Sequence, residues 1–453
     1  MLTAHRPGAI WMAAALAGAL AAGCGAKPEN GEAPPAAAQR PSEADQMLNG
    51  TAERYVKLVL EFGEKDPGYV DAYYGNATWS EEAQKRSRSL GDIQQEAQAL
   101  IAEVRGIDLG DAPEIVRLRR EYQARQLEAL AARVEMLSGK KLKFDEESKA
   151  LYDAVAPTHT EAEFQGVLDE LGGLLPGPGP LSERLTAYRQ QFAIPKDKLG
   201  VVFQTAIAEC KRRTAAHVAL PEGEGFYLEF VKDKPWSAYN WYKGRVQSLI
   251  EVNTDLPIYI DRAVDLACHE GYPGHHAYNA LLEQHLVRDR DWQEFSVYAL
   301  YSPQSLIGEG TANYGVEMAF PGDEKLAYER DTLYPLAGLD PAKAVAYQRV
   351  LQLLKKLSYA DNEAARRYLD GAIDARAAAD WLERYALLTP RSRAEQRVRF
   401  IDQYRSYVIN YNLGEDLVRR YVEAQGADPE RRWEAFIGIL TSPRLPSGLA
   451  VAS

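Results

Sequence analysis

Apolar residues recur at three- and four-residue spacing along most of the chain, the period of a helix that buries one face. Over 45–63 the stripe is Met47, Leu48, Ala52, Tyr55, Val56, Leu58, Val59 and Phe62, and over 112–138 it is Ile115, Leu118, Tyr122, Leu127, Leu130 and Val134. Helical patterns return at 258–274, 276–287, 291–300, 304–319, 341–358, 361–371, 374–387, 391–411, 413–425 and 429–440. Residues 221–257 have another texture, rich in aromatic and β-branched side chains, alternating at Phe226, Leu228 and Phe230 and again at Val246, Leu249, Ile250 and Val252. A period near two predicts a short antiparallel sheet. The expected fold is therefore mostly α, with a small antiparallel β element next to the helix that follows it. One domain over 45–445 is expected, with two helical lobes flanking 221–257 as an option within it, and 446–453 reads as a tail. The PGPGP run at 176–180 is a loop and the best hinge candidate. No fixed period marks a solenoid.

The N-terminus adds a destination. Residues 1–24 read as a signal peptide: His5 and Arg6, then an apolar run too short for a good membrane span, ending at Cys24. Ala21-Ala22-Gly23-Cys24 resembles a bacterial lipobox, with the usual leucine displaced by one position to Leu20. That predicts an exported lipoprotein anchored in the membrane through Cys24, facing the periplasm or cell exterior. Residues 25–44 are rich in Pro, Ala and Glu without apolar periodicity, the composition of a flexible tether.

Composition narrows the class of partner. With 46% hydrophobic and 26% charged residues the chain is ordinary for a globular protein. Its net charge of −12 comes from 65 acidic against 53 basic residues, without a block of basic residues, so nucleic acid is not an expected partner. Besides Cys24 only Cys210 and Cys268 remain, 58 positions apart. They could pair in an oxidising compartment, but two separate small buried residues are the expectation.

The densest chemistry is HEGYPGHH, residues 269–276, which holds three of the seven histidines beside Glu270. Neutral imidazoles and a neighbouring carboxylate are what a catalytic zinc site uses, the first to hold the ion and the second to handle a proton. Position +4 from His269 is Pro273, so the simple HExxH arrangement is missing. Proline and Gly274 should interrupt the helix here. If the chain widens or turns at the interruption, His275 returns beside His269. If the helix only bends, His276 is the better placed. The preference is for His275, with His276 as a supporting or oxyanion group. A third ligand is expected from 306–320, where Glu309 lies between Gly308 and Gly310, small residues that let another element approach. Glu317, eight residues on, is its rival.

Taken together, HEGYPGHH and the later GEGTANYGVE resemble the bacterial family called domain of unknown function 885, whose pattern is HExxPGHH followed by EGxAxY. The segment YVINYNLGEDLVRRY at 407–421 is similar to a C-terminal stretch of that family. The resemblance spans about 45–445 and implies a gluzincin-like zinc metallopeptidase. It implies one zinc ion held by His269, by His275 or His276, and by Glu309, with Glu270 as general base and a peptide as substrate. Tyr314 occupies the tyrosine of EGxAxY, and Thr311 replaces a tryptophan common in relatives, which bears on substrate preference. Candidate donors to a developing oxyanion are Tyr314, His276, Tyr407, Tyr411 and Arg405, with Tyr411 and Tyr314 preferred. Two other readings compete: a metal-dependent amidohydrolase acting on non-peptide amides, and a non-catalytic lipoprotein scaffold with a structural metal. A structural site needs no free carboxylate such as Glu270.

Overall fold

The computed structural model describes residues 42–234 and 236–450. The expected signal peptide and nearly all of the expected tether lie outside them. The first helix, Glu43–Gly63, opens where the Ser42 side chain accepts a hydrogen bond from the Asp45 amide, so the end of the stretch read as tether is already helical. Its expected stripe is buried from Leu48 through Phe62, while Met47 stays exposed.

The Glu114–Leu137 helix also buries most of its stripe, together with Arg119, which apolar periodicity does not anticipate. The Arg119 guanidinium is wholly buried and held by Glu294 at 2.7 and 2.9 Å and by Asp45 at 2.7 Å. Burial of an arginine is tolerable only with such pairing.

Helices carry most of the described chain, as expected, with a small β component. Strands β1 (Val70–Tyr73), β2 (Gly225–Val231), β3 (Ala238–Gly244), β4 (Gln247–Asn253) and β5 (Val297–Ala299) form two sheets. In the three-stranded sheet the order is β2-β4-β3. The β3–β4 pair is antiparallel, as the alternation suggested, and β2 joins β4 in parallel. Alternation reports which face is buried, not the direction of the neighbour.

Residues 291–300, expected as a helix, are a 3₁₀ turn at Gln293–Ser296 followed by β5, which pairs antiparallel with β1. The β-branched and aromatic Val297-Tyr298 gains a strand partner from a distant part of the chain, which local periodicity does not reveal. The expected tail is also ordered as far as Leu449, which is fully buried.

Two apolar clusters support this frame. One joins the N-terminal and C-terminal helices through residues such as Tyr55, Leu127, Leu306 and Val418. The other gathers Phe203, Val252, Ile260, Cys268 and Tyr334 around the segment that leads into HEGYPGHH. Cys210 and Cys268 form a disulfide with Cα atoms 5.6 Å apart, which corrects the expectation of two separate cysteines. The Leu199–Ala215 helix packs on the segment before His269, and that contact brings the two sulfurs together. Among the described residues no helix is long and apolar enough to cross a membrane.

Candidate metal centre

The Asp261–Leu266 helix does not run on through the motif. It widens into a π-turn at Ala267–Gly271, breaks at Tyr272-Pro273-Gly274, and a new helix starts at His275 and ends at Leu282. The Gly274 amide reaches back to the Cys268 carbonyl at 2.9 Å. This return is so tight that a Cβ on Gly274 would sit 1.9 Å from the His269 carbonyl oxygen, which only glycine permits. As a result His275 lies against His269, with ring centroids 4.7 Å apart and planes nearly perpendicular.

Glu309 arrives on the Pro303–Ala319 helix. Its Oε2 is 3.5 Å from His269 Nε2 and 3.7 Å from His275 Nε2. Its Oε1 accepts a hydrogen bond from the Tyr407 hydroxyl at 2.9 Å. Oε2 is buried and has no hydrogen-bond partner. Asn313, one turn after Glu309, donates from Nδ2 to the Tyr411 carbonyl at 2.7 Å and presents Oδ1 to His269 Nδ1 at 2.9 Å. With the amide oriented this way, His269 carries its proton on Nδ1 and its Nε2 is a lone pair facing Glu309. Two acceptors facing each other in a buried site call for a cation between them. Ligands at roughly 2.0–2.1 Å in a tetrahedral zinc site are separated by about 3.4 Å, close to the spacings here.

The electrostatics agree with a cation-seeking site. Burial alone would raise the Glu309 carboxyl, yet when the imidazoles of His269 and His275 carry protons toward it they hold it well below the ordinary carboxylate range, so a cation is favoured at this point. Burial likewise disfavours a charged His275, but Glu309, Glu270 and Asp71 push it up to about 9. Glu270 is buried beside the imidazoles. One donor atom from each of His269, Glu270 and His275 can be chosen so that all three lie within 4.8 Å of one another. The Glu270 backbone carbonyl accepts a hydrogen bond from Asn240 Nδ2 on β3 at 2.7 Å. The residues therefore fit a divalent metal, which His269, His275 and Glu309 would hold with Glu270 alongside.

Other expected residues lie elsewhere. His276 is fully buried and turned toward the three-stranded sheet, with Nδ1 2.8 Å from Ser248 Oγ and Nε2 2.8 Å from Glu224 Oε2. Both ring nitrogens are occupied, and the tight return that aims His275 at His269 rotates its neighbour away. Tyr314 packs against Phe436 and under the Arg419 guanidinium, away from the cluster. Five residues beyond Glu309 is about 140° around the helix, so the two side chains leave different faces. Glu317 is tied to Arg419 at 2.8 Å and Lys355 at 3.1 Å. Tyr411 is closer to the expectation: its carbonyl holds Asn313, and its ring packs edge-on against Tyr407 at 5.7 Å. Arg405 pairs with Glu147 at 2.6 Å.

Sequence reasoning missed Asn313, Asp71, Glu224 and Ser248. For Asn313 there was a usable signal, its i+4 spacing from Glu309 on a predicted helix. The others come from segments far along the chain with no local pattern to mark them.

The fold and the cluster define a helical protein in which two half-buried histidines face the buried Glu309, with a second buried carboxylate, Glu270, beside them. No protein-family model matches the chain, and no curated protein matches it in sequence. The resemblance to family 885 therefore rests on the motif residues. Among solved structures, a protein of Colwellia psychrerythraea described as a candidate lipoprotein has a similar fold, with a TM-score of 0.51 and 14% identity over 80% of this chain and 68% of that one. An M32 carboxypeptidase from Deinococcus radiodurans R1 aligns over 88% of this chain and 89% of that one, at 13% identity and a TM-score of 0.34, too low to bear on the argument.

Proposed function

We propose that this protein is a metal-dependent hydrolase of peptide bonds, with one zinc ion held by His269, His275 and Glu309 and with Glu270 as general base. The observation that carries the reading is the buried, unpartnered Glu309 Oε2 facing two imidazole nitrogens at 3.5 and 3.7 Å, with a further carboxylate next to them. When bound, zinc supplies Lewis-acid polarisation of a carbonyl and lowers the pKa of water toward neutrality. Glu270 accepts the proton of the attacking water and delivers it to the nitrogen of the leaving amine. Tyr407 fixes the Glu309 carboxylate, and Asn313 fixes the His269 tautomer. Tyr411 is the proposed donor to the oxyanion, since its ring lies beside Tyr407 and its hydroxyl is within electrostatic reach of Glu309 and Glu270.

The same reading makes the protein an exported lipoprotein anchored through Cys24, with 45–445 as its catalytic domain. The Cys210–Cys268 disulfide suits an oxidising compartment, and the Colwellia protein of similar fold is described as a candidate lipoprotein.

Metal analysis and peptide cleavage by wild type and Glu270→Gln test the mechanism. Wild type should hold one zinc per chain and cleave peptides. The variant should keep the metal and lose about 10²- to 10⁴-fold in kcat. Equal turnover in both would remove Glu270 from the role, and protein that binds no zinc would remove the proposal.

A further inference from the structure

Asp71 on β1 adds a third carboxylate to the neighbourhood of the cluster. The position follows from two independent links. Ala72, its neighbour, pairs with Tyr298 on β5, whose hydroxyl lies so close to Gly308 that a Cβ there would meet it at 2.7 Å. Gly308 directly precedes Glu309. From the other side, the Tyr239 hydroxyl of β3 donates to Asp71 Oδ1, and the next residue, Asn240, holds the Glu270 backbone at 2.7 Å. Asp71 is thus placed between the strand that supports Glu270 and the helix that carries Glu309, and its carboxyl feels the charges of His275, Glu309 and Glu270.

The cationic group that acts on this carboxyl is the His275 imidazole, which would be neutral when it holds a metal. Tyr239 is its hydrogen-bond partner, and among the described residues no lysine, arginine or histidine forms an ion pair with it. Burial pushes it above the ordinary aspartate range. A half-buried carboxylate held by one neutral donor is a poor structural device but a good receptor for a cation brought by a ligand. Arg397, whose charge reaches Tyr411, is committed to Asp361 at 2.9 and 3.0 Å, and Arg405 to Glu147 at 2.6 Å. An acid free of lysine and arginine partners favours the ammonium end of a peptide and disfavours its carboxylate end.

We propose that Asp71, held by Tyr239, receives the α-ammonium group of the substrate, so that the enzyme is an exopeptidase working from the N-terminus of peptides. The proposal rests on the hydrolase reading above and adds substrate class to it. Geometry makes the pairing productive: in any amino acid the α-nitrogen lies about 2.5 Å from its own carbonyl carbon, so an anchored ammonium sets the first peptide bonds at a fixed distance from Glu270.

Binding and cleavage are measured separately. In calorimetric titrations of zinc-loaded Glu270→Gln protein, leucinamide should bind at least 10-fold more tightly than N-acetyl-leucinamide. Adding Asp71→Asn should abolish that difference without loss of zinc. Equal binding of the two amides, which needs no Asp71 variant to observe, would overturn the proposal, as would a preference that survives Asp71→Asn. With wild type, free peptides should be cut within two residues of the N-terminus, and acetylation should raise KM at least 10-fold. Internal cleavage of acetylated peptides at equal efficiency would also overturn it. If no peptide is cut but the Asp71-dependent preference for leucinamide is present, the hydrolase reading fails and the ammonium site stands.

Discussion

Gly310 and Gly414 bring two helices into backbone contact: a Cβ on Gly310 would lie 2.4 Å from the Gly414 carbonyl oxygen. The helices are Pro303–Ala319, which carries Glu309 and Asn313, and Ile409–Glu423, which carries Tyr411. Their close approach is what allows Asn313 to reach the Tyr411 carbonyl, and through it fixes the tautomer of His269.

Gly310→Ala should therefore reduce both stability and metal affinity. Overpacking of this kind costs about 1–3 kcal/mol, and the better helix propensity of alanine returns at most about 1 kcal/mol. Thermal melting of metal-free protein reads the first effect and zinc titration the second. A variant with unchanged melting temperature and unchanged zinc affinity would mean that the helix contact does not set the site.

Adjacent histidines should respond in opposite ways. His275→Ala removes a nitrogen that faces Glu309 at 3.7 Å, and zinc content should fall with little change in the fold. His276→Ala leaves the buried Ser248 hydroxyl without its imidazole partner and takes one of three side-chain partners from Glu224, which costs about 1–3 kcal/mol, while zinc content should persist. Metal content and melting temperature of the two purified variants decide it. Zinc loss on substitution of His276 alone would reverse the assignment.

Much of this was legible along the chain, and the failures have physical reasons. Helical periodicity located the Pro303–Ala319 helix, and the glycines flanking Glu309 announced a close neighbour without naming Gly414. The proline and glycine after His269 announced a break. Only the π-turn that widens the chain at Ala267–Gly271 decides which imidazole comes back, because that depends on hydrogen bonds several residues away. Tyr314 was preferred on motif position alone, whereas Tyr407, whose hydroxyl holds Glu309, sits in a 3₁₀ turn at Arg405–Val408 that periodicity read as continuous helix. Asp71 and Glu224 reach this region from other segments through strand pairing and packing, and pairing partners are not encoded locally.

Glu224 offers a test of the packing behind the motif that does not depend on metal. Burial alone would raise its carboxyl, but hydrogen bonds from His276, Lys211 and Tyr272 bring it down to about 2 from an ordinary 4.5. A carboxyl depressed on folding stabilises the native state fully above its unfolded pKa, and that contribution is lost as pH falls through the folded value. Here the window runs from about 4.5 down to 2, where protonation also breaks the 2.6 Å pair with Lys211. Chemical denaturation of metal-free protein should therefore show wild type losing stability more steeply across this range than Glu224→Gln, with the two curves converging at the acid end. Other carboxylates titrate in the same range, so the difference between the two proteins isolates Glu224. Parallel curves would mean that Glu224 does not hold His276 in place, and the rotation that separates the two imidazoles would need another cause.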